Sequence, residues 1–331
     1  MGSGGMSSPL LALRERAKAA RHPIVLSEGV DARVLEAAGR AVADGLAQIT
    51  VLAPEGTPVP DGVLLEDPAT SPHRAAMIEG FLEARAKKNP TRAQAEEAVS
   101  DPLVWAALMV RMDRAGGTIG GAINTTSNTV RAALQMIGTA KGAPLVSSFC
   151  LMVLPEDHPT RPGASLVYAD CGLVIDPSAE EMAAIGVQSA GSARALLGLD
   201  PKVAMLSFST KGSAQHEAAF KVAQATEIAQ KKSDFAIDGE MQFDAAFDEA
   251  VGASKAPGSP VAGQATVFVF PSLEAGNIAY KITQRIGGAM AIGPVLQGLA
   301  KPANDLSRGC SADDIYEMIA VTSAQIDALE Q

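Results

Sequence analysis

The segment Asn304-Asp-Leu-Ser307-Arg308-Gly-Cys-Ser-Ala-Asp-Asp314 gathers a hydroxyl, a guanidinium and carboxylates at one loop–helix junction. Ser311 can cap the last helix, which places Asp313 and Asp314 in its first turn. There the helix dipole keeps a carboxylate ionised. A fixed carboxylate beside a hydroxyl donor and a cation suits proton removal coupled to oxyanion stabilisation. Helix capping alone accounts for the same residue types. A glycine- and proline-punctuated stretch, Gly293-Pro-Val-Leu-Gln-Gly-Leu-Ala-Lys-Pro302, leads into this segment.

Four other segments suit an anion. Ile123-Asn-Thr-Thr-Ser127-Asn-Thr-Val-Arg131 follows a small-residue strand and sets hydroxyls at a helix start, with an arginine one turn in. Arginine can grip phosphate with two parallel bonds. Ser207-Phe-Ser-Thr-Lys-Gly-Ser213 offers hydroxyls, backbone N–H groups and a lysine. Such a loop opening a helix is a natural anion site, although the spacing is not that of a Walker A loop. An ordinary N-cap at Ser213 is the plainer alternative. Phe270-Pro-Ser-Leu-Glu-Ala-Gly-Asn277 opens a helix from which Tyr280, Lys281 and Arg285 project, with Lys281 and Arg285 on one face. That face suits a phosphate or is simply a solvated basic stripe. Arg85 lies in a basic patch with Lys87 and Lys88. The paired acids of Asp238-Gly-Glu-Met-Gln-Phe-Asp244 suit acid–base work, a cation, or a turn followed by a helix start.

These segments sit between elements of regular alternation. Strands are predicted over 23–26, 48–52, 118–122, 145–154, 166–175, 203–207, 235–237, 265–270 and 289–295. Helices are predicted over 33–46, 71–88, 92–114, 127–138, 179–197, 213–231, 242–250, 276–286 and 311–329. The alternation argues for α/β layers, with helices on both faces of mostly parallel sheets and ligands at the carboxyl ends of the strands. A length of 331 residues suggests two domains, and 47% apolar residues can fill two cores.

Composition excludes several classes. With 27 Lys+Arg against 37 Asp+Glu the net charge is −10, a poor match to nucleic acid or to an anionic membrane surface. A phosphate-bearing ligand therefore needs a local positive site. No apolar run reaches the ~18 residues of a membrane span. Met1-Gly-Ser-Gly-Gly-Met6 lacks the basic and apolar regions of a secretory signal and reads as an expression remnant. Cys150, Cys171 and Cys310 are widely spaced, which fits a reducing cytoplasm, and the four histidines are isolated, so no metal is expected.

Taken in order, the segments at 207–213, 238–245, 270–281 and 293–310 resemble the phosphate acetyltransferase (phosphotransacetylase) family, over about 23–324. The resemblance implies two three-layer α/β/α domains with a cleft between them, akin to the isocitrate and isopropylmalate dehydrogenases. The first domain would comprise 7–144 plus 301–331 and the second 145–300, with the active site in the cleft. It also implies a cytoplasmic homodimer, and the reaction acetyl-CoA + phosphate ⇌ CoA + acetyl phosphate without a required cofactor or metal. Carried over residue by residue, the base corresponds to Asp314 and the adjoining pair to Ser307 and Arg308. The two substrate arginines correspond to Arg131 and to Arg85 or Arg92. Ser127, Asn277, Tyr280 and Lys281 are further substrate-binding candidates. The family's Leu-Pro-Glu-Gly stands here as Leu26-Ser-Glu-Gly29, its Asp-Gly before the small-residue strand is Gly116-Gly117, and Ala132 replaces a common proline.

The implied chemistry is direct attack of the CoA thiol on acetyl phosphate. An acyl-enzyme on Cys310 is the covalent alternative, without a histidine nearby in sequence. The competing functions are a butyryl phosphate-using sister acyltransferase, a non-catalytic acetyl-CoA-sensing module, and a dehydrogenase of the shared fold. The last should carry a carboxylate cluster for Mg²⁺ and a nucleotide loop, and neither pattern is present.

Overall fold

The computed structural model describes residues 9–330; the leader at 1–6 lies outside them. The chain forms two compact units, one of Met1–Ala143 with Leu299–Gln331 and the other of Pro144–Gly298.

The first unit begins with α1 (Pro9–Ala20), β1 (Pro23–Leu26), α2 (Ala32–Ala43), β2 (Gln48–Leu52) and β3 (Leu64–Glu66). It continues through α3 (Arg74–Ala84), α4 (Arg92–Ala98), α5 (Pro102–Arg111), β4 (Gly117–Gly120) and α6 (Thr126–Met136). The second unit holds β5 (Ser147–Val153), β6 (Ser165–Ala169), α7 (Ala179–Leu197), β7 (Lys202–Leu206), α8 (Glu217–Lys232) and β8 (Ala236–Met241). It ends with α9 (Phe243–Phe247), α10 (Glu249–Lys255), β9 (Val267–Val269), α11 (Leu273–Arg285) and β10 (Met290–Gln297). The chain then returns to the first unit through β11 (Ala303–Asp305) and α12 (Ala312–Glu330).

The sheet of the first unit runs β11-β4-β1-β2-β3, and every pairing is parallel. Ile24, Val25 and Leu26 are consecutive and all buried, as expected of a strand covered on both faces. Helices α5 and α12 both pack against β4. Because β11, β4 and β1 are parallel neighbours, the loops after Asp305, Gly120 and Leu26 leave the same sheet edge. The pairings Asp305↔Gly120 and Leu26↔Ile119 fix that register. This edge positions the site described below.

The sheet of the second unit runs β10-β5-β6-β9-β7-β8. Strands β6, β9, β7 and β8 are parallel, whereas β5 is antiparallel to both β6 and β10. Tyr168, Phe268, Phe270, Met152 and Met241 belong to its hydrophobic core.

The structure departs from the sequence expectation at local signals. The helix expected over 92–114 is two, because Asp101 caps Leu103 N and Pro102 occupies the first helical turn. Helix α8 starts at Glu217 rather than 213, capped by His216. Strand β8 runs through Asp238-Gly239, where a turn was one expectation. Helix α11 starts three residues early because Ser272 accepts from Ala275 N. Short strands β3 and β11 carry too little periodicity to announce themselves, and helix α1, whose buried Leu10, Leu13 and Ala17 do recur at helical spacing, adds a helix the expectation lacked.

Candidate active site

The loop after β4 is held from below by an acid. Glu28 is buried, and its carboxylate accepts the backbone N–H groups of Ala122 at 2.6 Å, Ile123 at 3.2 Å and Asn124 at 2.8 Å, and Asn124 Nδ2 at 2.9 Å. Four bonds converging on one buried carboxyl set the loop's path. Gly121 has φ +100°, and a Cβ there would lie 2.3 Å from Asp305 Oδ1, so only glycine fits. Thr125 caps α6 by accepting Asn128 N. One turn on, Arg131 Nη2 donates to Ser127 Oγ at 3.2 Å, and both residues are exposed. The structure thus brings together two of the residues expected to bind substrate.

Ser307, Arg308 and Asp314 lie at the neighbouring strand end. Cys310 N closes a turn on Ser307 O at 2.9 Å, and Gly309 N donates to Ser307 Oγ at 3.3 Å. The Arg308 side chain is exposed and has no hydrogen-bond partner among the described residues. Ser311 and Asp314 cap each other: Asp314 Oδ2 accepts from Ser311 N at 2.8 Å and Ser311 Oγ at 2.9 Å, and Ser311 Oγ accepts Asp314 N. The capping reading of Asp314 therefore holds in this structure. Its two accepted bonds fall on a single oxygen. Asp313 is diverted to Arg40 at 2.6 Å.

Sequence reasoning missed the residue that joins these loops. Arg33 bonds Asp31 through Nε and Nη2. It also donates to Ala122 O at 2.9 Å, Arg308 O at 2.9 Å and Cys310 O at 2.8 Å. Three strand-end loops thus meet on one guanidinium. The available signal was Asp31, two residues earlier at a helix N-cap, where it fixes the arginine's stem. The Arg33 guanidinium holds the Asp31 carboxyl below its ordinary range. Burial pushes the Cys310 thiol up to about 11, against a weaker opposing pull from Arg33.

Asp305 was quoted in the motif without a role. It is fully buried at the end of β11, and its Oδ2 accepts Thr126 Oγ1 at 2.6 Å. Its Oδ1 is buried without a hydrogen-bond partner. Burial pushes its carboxyl up to about 6.

The remaining candidates divide. Arg85 ends α3, half-buried, and no described contact connects it to the loops above. Arg92 is committed to Glu79 at 2.8 Å and Glu96 at 3.2 Å. Asn277, Tyr280 and Lys281 belong to α11 of the second unit. Asn277 Nδ2 donates to Cys171 O at 3.0 Å, Tyr280 packs against the hydrophobic core, and Lys281 Nζ lies 5.7 Å from the Tyr280 ring centre. Gly276 is buried against Asp170 O, where a Cβ would approach to 2.2 Å.

In the loop at 207–213 the donors that could meet an anion are partly taken by a side chain of the same unit. Glu240 accepts Ser209 Oγ and Gly212 N, both at 2.7 Å. Lys211 Nζ pairs with buried Asp238, which also accepts the Ser259 hydroxyl. The paired acids of this region are therefore clamps within the second unit.

Among the described residues, no group of three or more His, Cys, Asp and Glu side chains is arranged for a metal ion. No described helix is long and apolar enough to cross a membrane. Residues 10–323 match the family model of phosphate acetyl/butaryl transferases. The chain belongs to this family. The phosphate acetyltransferase of Paracoccus denitrificans is 49% identical over 319 residues, 96% of this chain and 99% of that protein. A phosphotransacetylase structure from Streptococcus pyogenes superposes with a TM-score of 0.89 at 42% identity, covering 99% of this chain and 100% of that one. A likeness of fold alone extends to a candidate 4-hydroxythreonine-4-phosphate dehydrogenase from Salmonella typhimurium. Its TM-score is 0.53 at 12% identity, over 93% of this chain and 99% of that one. In the first unit of this phosphate acetyl/butaryl transferase, Ser307 and Arg308 lie in the loop after β11, Asp314 in the first turn of α12, and Ser127 and Arg131 in the first turns of α6.

Proposed function

We infer that this chain is a phosphate acetyltransferase that interconverts acetyl-CoA plus phosphate with CoA plus acetyl phosphate. The carrying observation is the full-length likeness to phosphate acetyltransferases, supported by Arg33 joining the Ser307–Arg308 turn to the loop before Ser127 and Arg131.

In this reading, the CoA sulfur attacks the acetyl carbonyl. A carbon–sulfur bond forms, the carbon–oxygen bond to phosphate breaks, and phosphate leaves with the electron pair. Asp314 takes the thiol proton. A free thiol titrates near 8.5 and a free aspartate near 3.9, so Asp314 alone is a weak base for it. Exposed Arg308 lowers the cost of the developing thiolate. The Ser307 hydroxyl donates to the oxyanion, a contribution of roughly 3–4 kcal/mol where such a donor is preorganised. Arg131, Ser127 and Arg85 neutralise and orient the phosphate. Arg85 is preferred to Arg92, whose guanidinium is already paired. Asn277, Tyr280 and Lys281, on α11, are further substrate-binding residues in this reading. Direct transfer is preferred to an acyl-Cys310 intermediate, because a thiol titrating near 11 supplies little thiolate.

The assay is thioester absorbance on mixing purified protein with acetyl phosphate and CoA, without added metal. Rapid acetyl-CoA formation suppressed by phosphate is expected. Saturable acetyl-CoA binding without turnover would instead make the chain a sensor. Running butyryl phosphate in parallel reads acyl-chain preference, where each methylene changes binding by ~1–3 kcal/mol. Cytoplasmic location and a homodimer complete the proposal.

A further inference from the structure

We propose that Asp305 is a positioning residue, which through Thr126 holds the phosphate-binding start of α6 in register with the Ser307–Arg308 turn. The inference rests on the acetyltransferase reading and adds to it a residue that never touches substrate.

Asp305 ends β11, and Leu306 N continues the ladder to Gly120 O at 2.7 Å. Ser307 and Arg308 follow at once, so the place of Asp305 fixes where they begin. Its Oδ2 takes the Thr126 hydroxyl at 2.6 Å. Thr126 is the first residue of α6, the helix that carries Ser127 and Arg131. A single carboxylate therefore spans the two strand ends whose loops hold the opposite halves of the reaction. Its other oxygen, Oδ1, is buried without a partner and wedged at Gly121. Burying an acid with one oxygen unpaired is unfavourable, and an apolar residue would serve packing better. Thr126 is also surplus to helix capping, which Thr125 performs. The Asp305–Thr126 bond thus satisfies the buried acid and at the same time ties the two strand ends together.

Small misplacements of reacting groups carry large kinetic penalties. The test compares the whole wild-type chain with Thr126→Val, Thr126→Ser and Asp305→Asn. Initial rates are measured with acetyl phosphate and CoA varied separately, and inorganic phosphate binding is measured by calorimetry. Thr126→Val removes the hydroxyl and leaves the buried acid without that donor, so urea unfolding is run alongside and Thr126→Ser, which keeps the donor, separates a loss of stability from a loss of alignment. Its kcat/KM for acetyl phosphate should fall about tenfold or more, with KM for CoA changed less than about threefold. Phosphate should bind more weakly by a similar factor, and Thr126→Ser should recover most of both losses. Asp305→Asn, which can still accept the hydroxyl bond, should lie between Val and Ser. Active wild type with an unaffected Thr126→Val would overturn the proposal, as would equal losses for phosphate and CoA. Inactive wild type would count against the acetyltransferase reading instead, and phosphate affinity across the four proteins would still decide the positioning role.

Discussion

The segments at 121–131 and 207–213 have nearly the same ingredients and differ in how their cations are paired. Each follows a parallel strand, carries hydroxyls and a glycine, and includes one cation. Each also encloses a buried glutamate: Glu28 takes three backbone N–H groups of the first loop, and Glu240 takes Ser209 Oγ and Gly212 N of the second. The difference lies in the cation. Lys211 is paired with Asp238, whereas among the described residues Arg131 has no acidic partner and its side chain bonds the Ser127 hydroxyl. The cation of the second segment is thus paired from within the unit, and that of the first remains open to solvent, which is why the proposed phosphate site is placed at the first.

The largest expected effect concerns the turn that faces the first loop. Asp314→Asn should lower kcat by about 10²–10⁴, the range for a positioned base, with smaller changes in KM. Near-normal turnover would remove Asp314 from that role and leave only its cap with Ser311.

Substituting the two cations breaks the comparison directly. Arg131→Ala should raise KM for phosphate and acetyl phosphate by about tenfold to a hundredfold, while CoA is affected less. Lys211→Ala should leave both KM values alone and reduce stability by about 1–2 kcal/mol. The effect stays modest because Lys211 is partly solvated, although Asp238 is left buried. Urea unfolding and steady-state kinetics on the pair separate the two outcomes, and interchanged effects would invert the assignment.

A subtler check uses pH. Burial raises Asp305 from 3.8 to about 6, so its ionised form weighs against the folded state by ~3 kcal/mol. That burden is complete well above pH 6, fades as pH falls through 6, and is gone below the unfolded value of 3.8. Stability measured for Asp305→Asn relative to wild type should therefore decline steadily between pH 7 and pH 4. A flat difference would show that the carboxyl is not buried as drawn.

The smallest effect is expected at Cys310. Cys310→Ala should keep most of the activity, since Arg33 grips the backbone carbonyl at this position. Complete loss would restore the covalent route.

The sequence by itself determined the α/β class, because buried parallel strands leave unbroken apolar runs such as 23–26 and 203–206 between amphipathic helices. It also determined the family, through long motifs whose residue order survives without any knowledge of contacts. It located Ser307, Arg308 and Asp314 as a group because they are neighbours in the chain, and Ser127 and Arg131 because one helical turn separates them. It missed β3 and β11, whose three residues lack the flanking apolar run that revealed the equally short β9 within 265–270. Only the tertiary structure decided which charged groups are already satisfied. Glu28, Arg33 and Asp305 lie far apart in sequence from the loops they grip, and Lys211 meets Asp238 across a strand pairing. Hydrogen bonding and charge neutralisation act through space over a few ångströms. A motif can therefore name the chemistry a loop could perform, but only the fold shows whether its donors and charges remain available for a ligand.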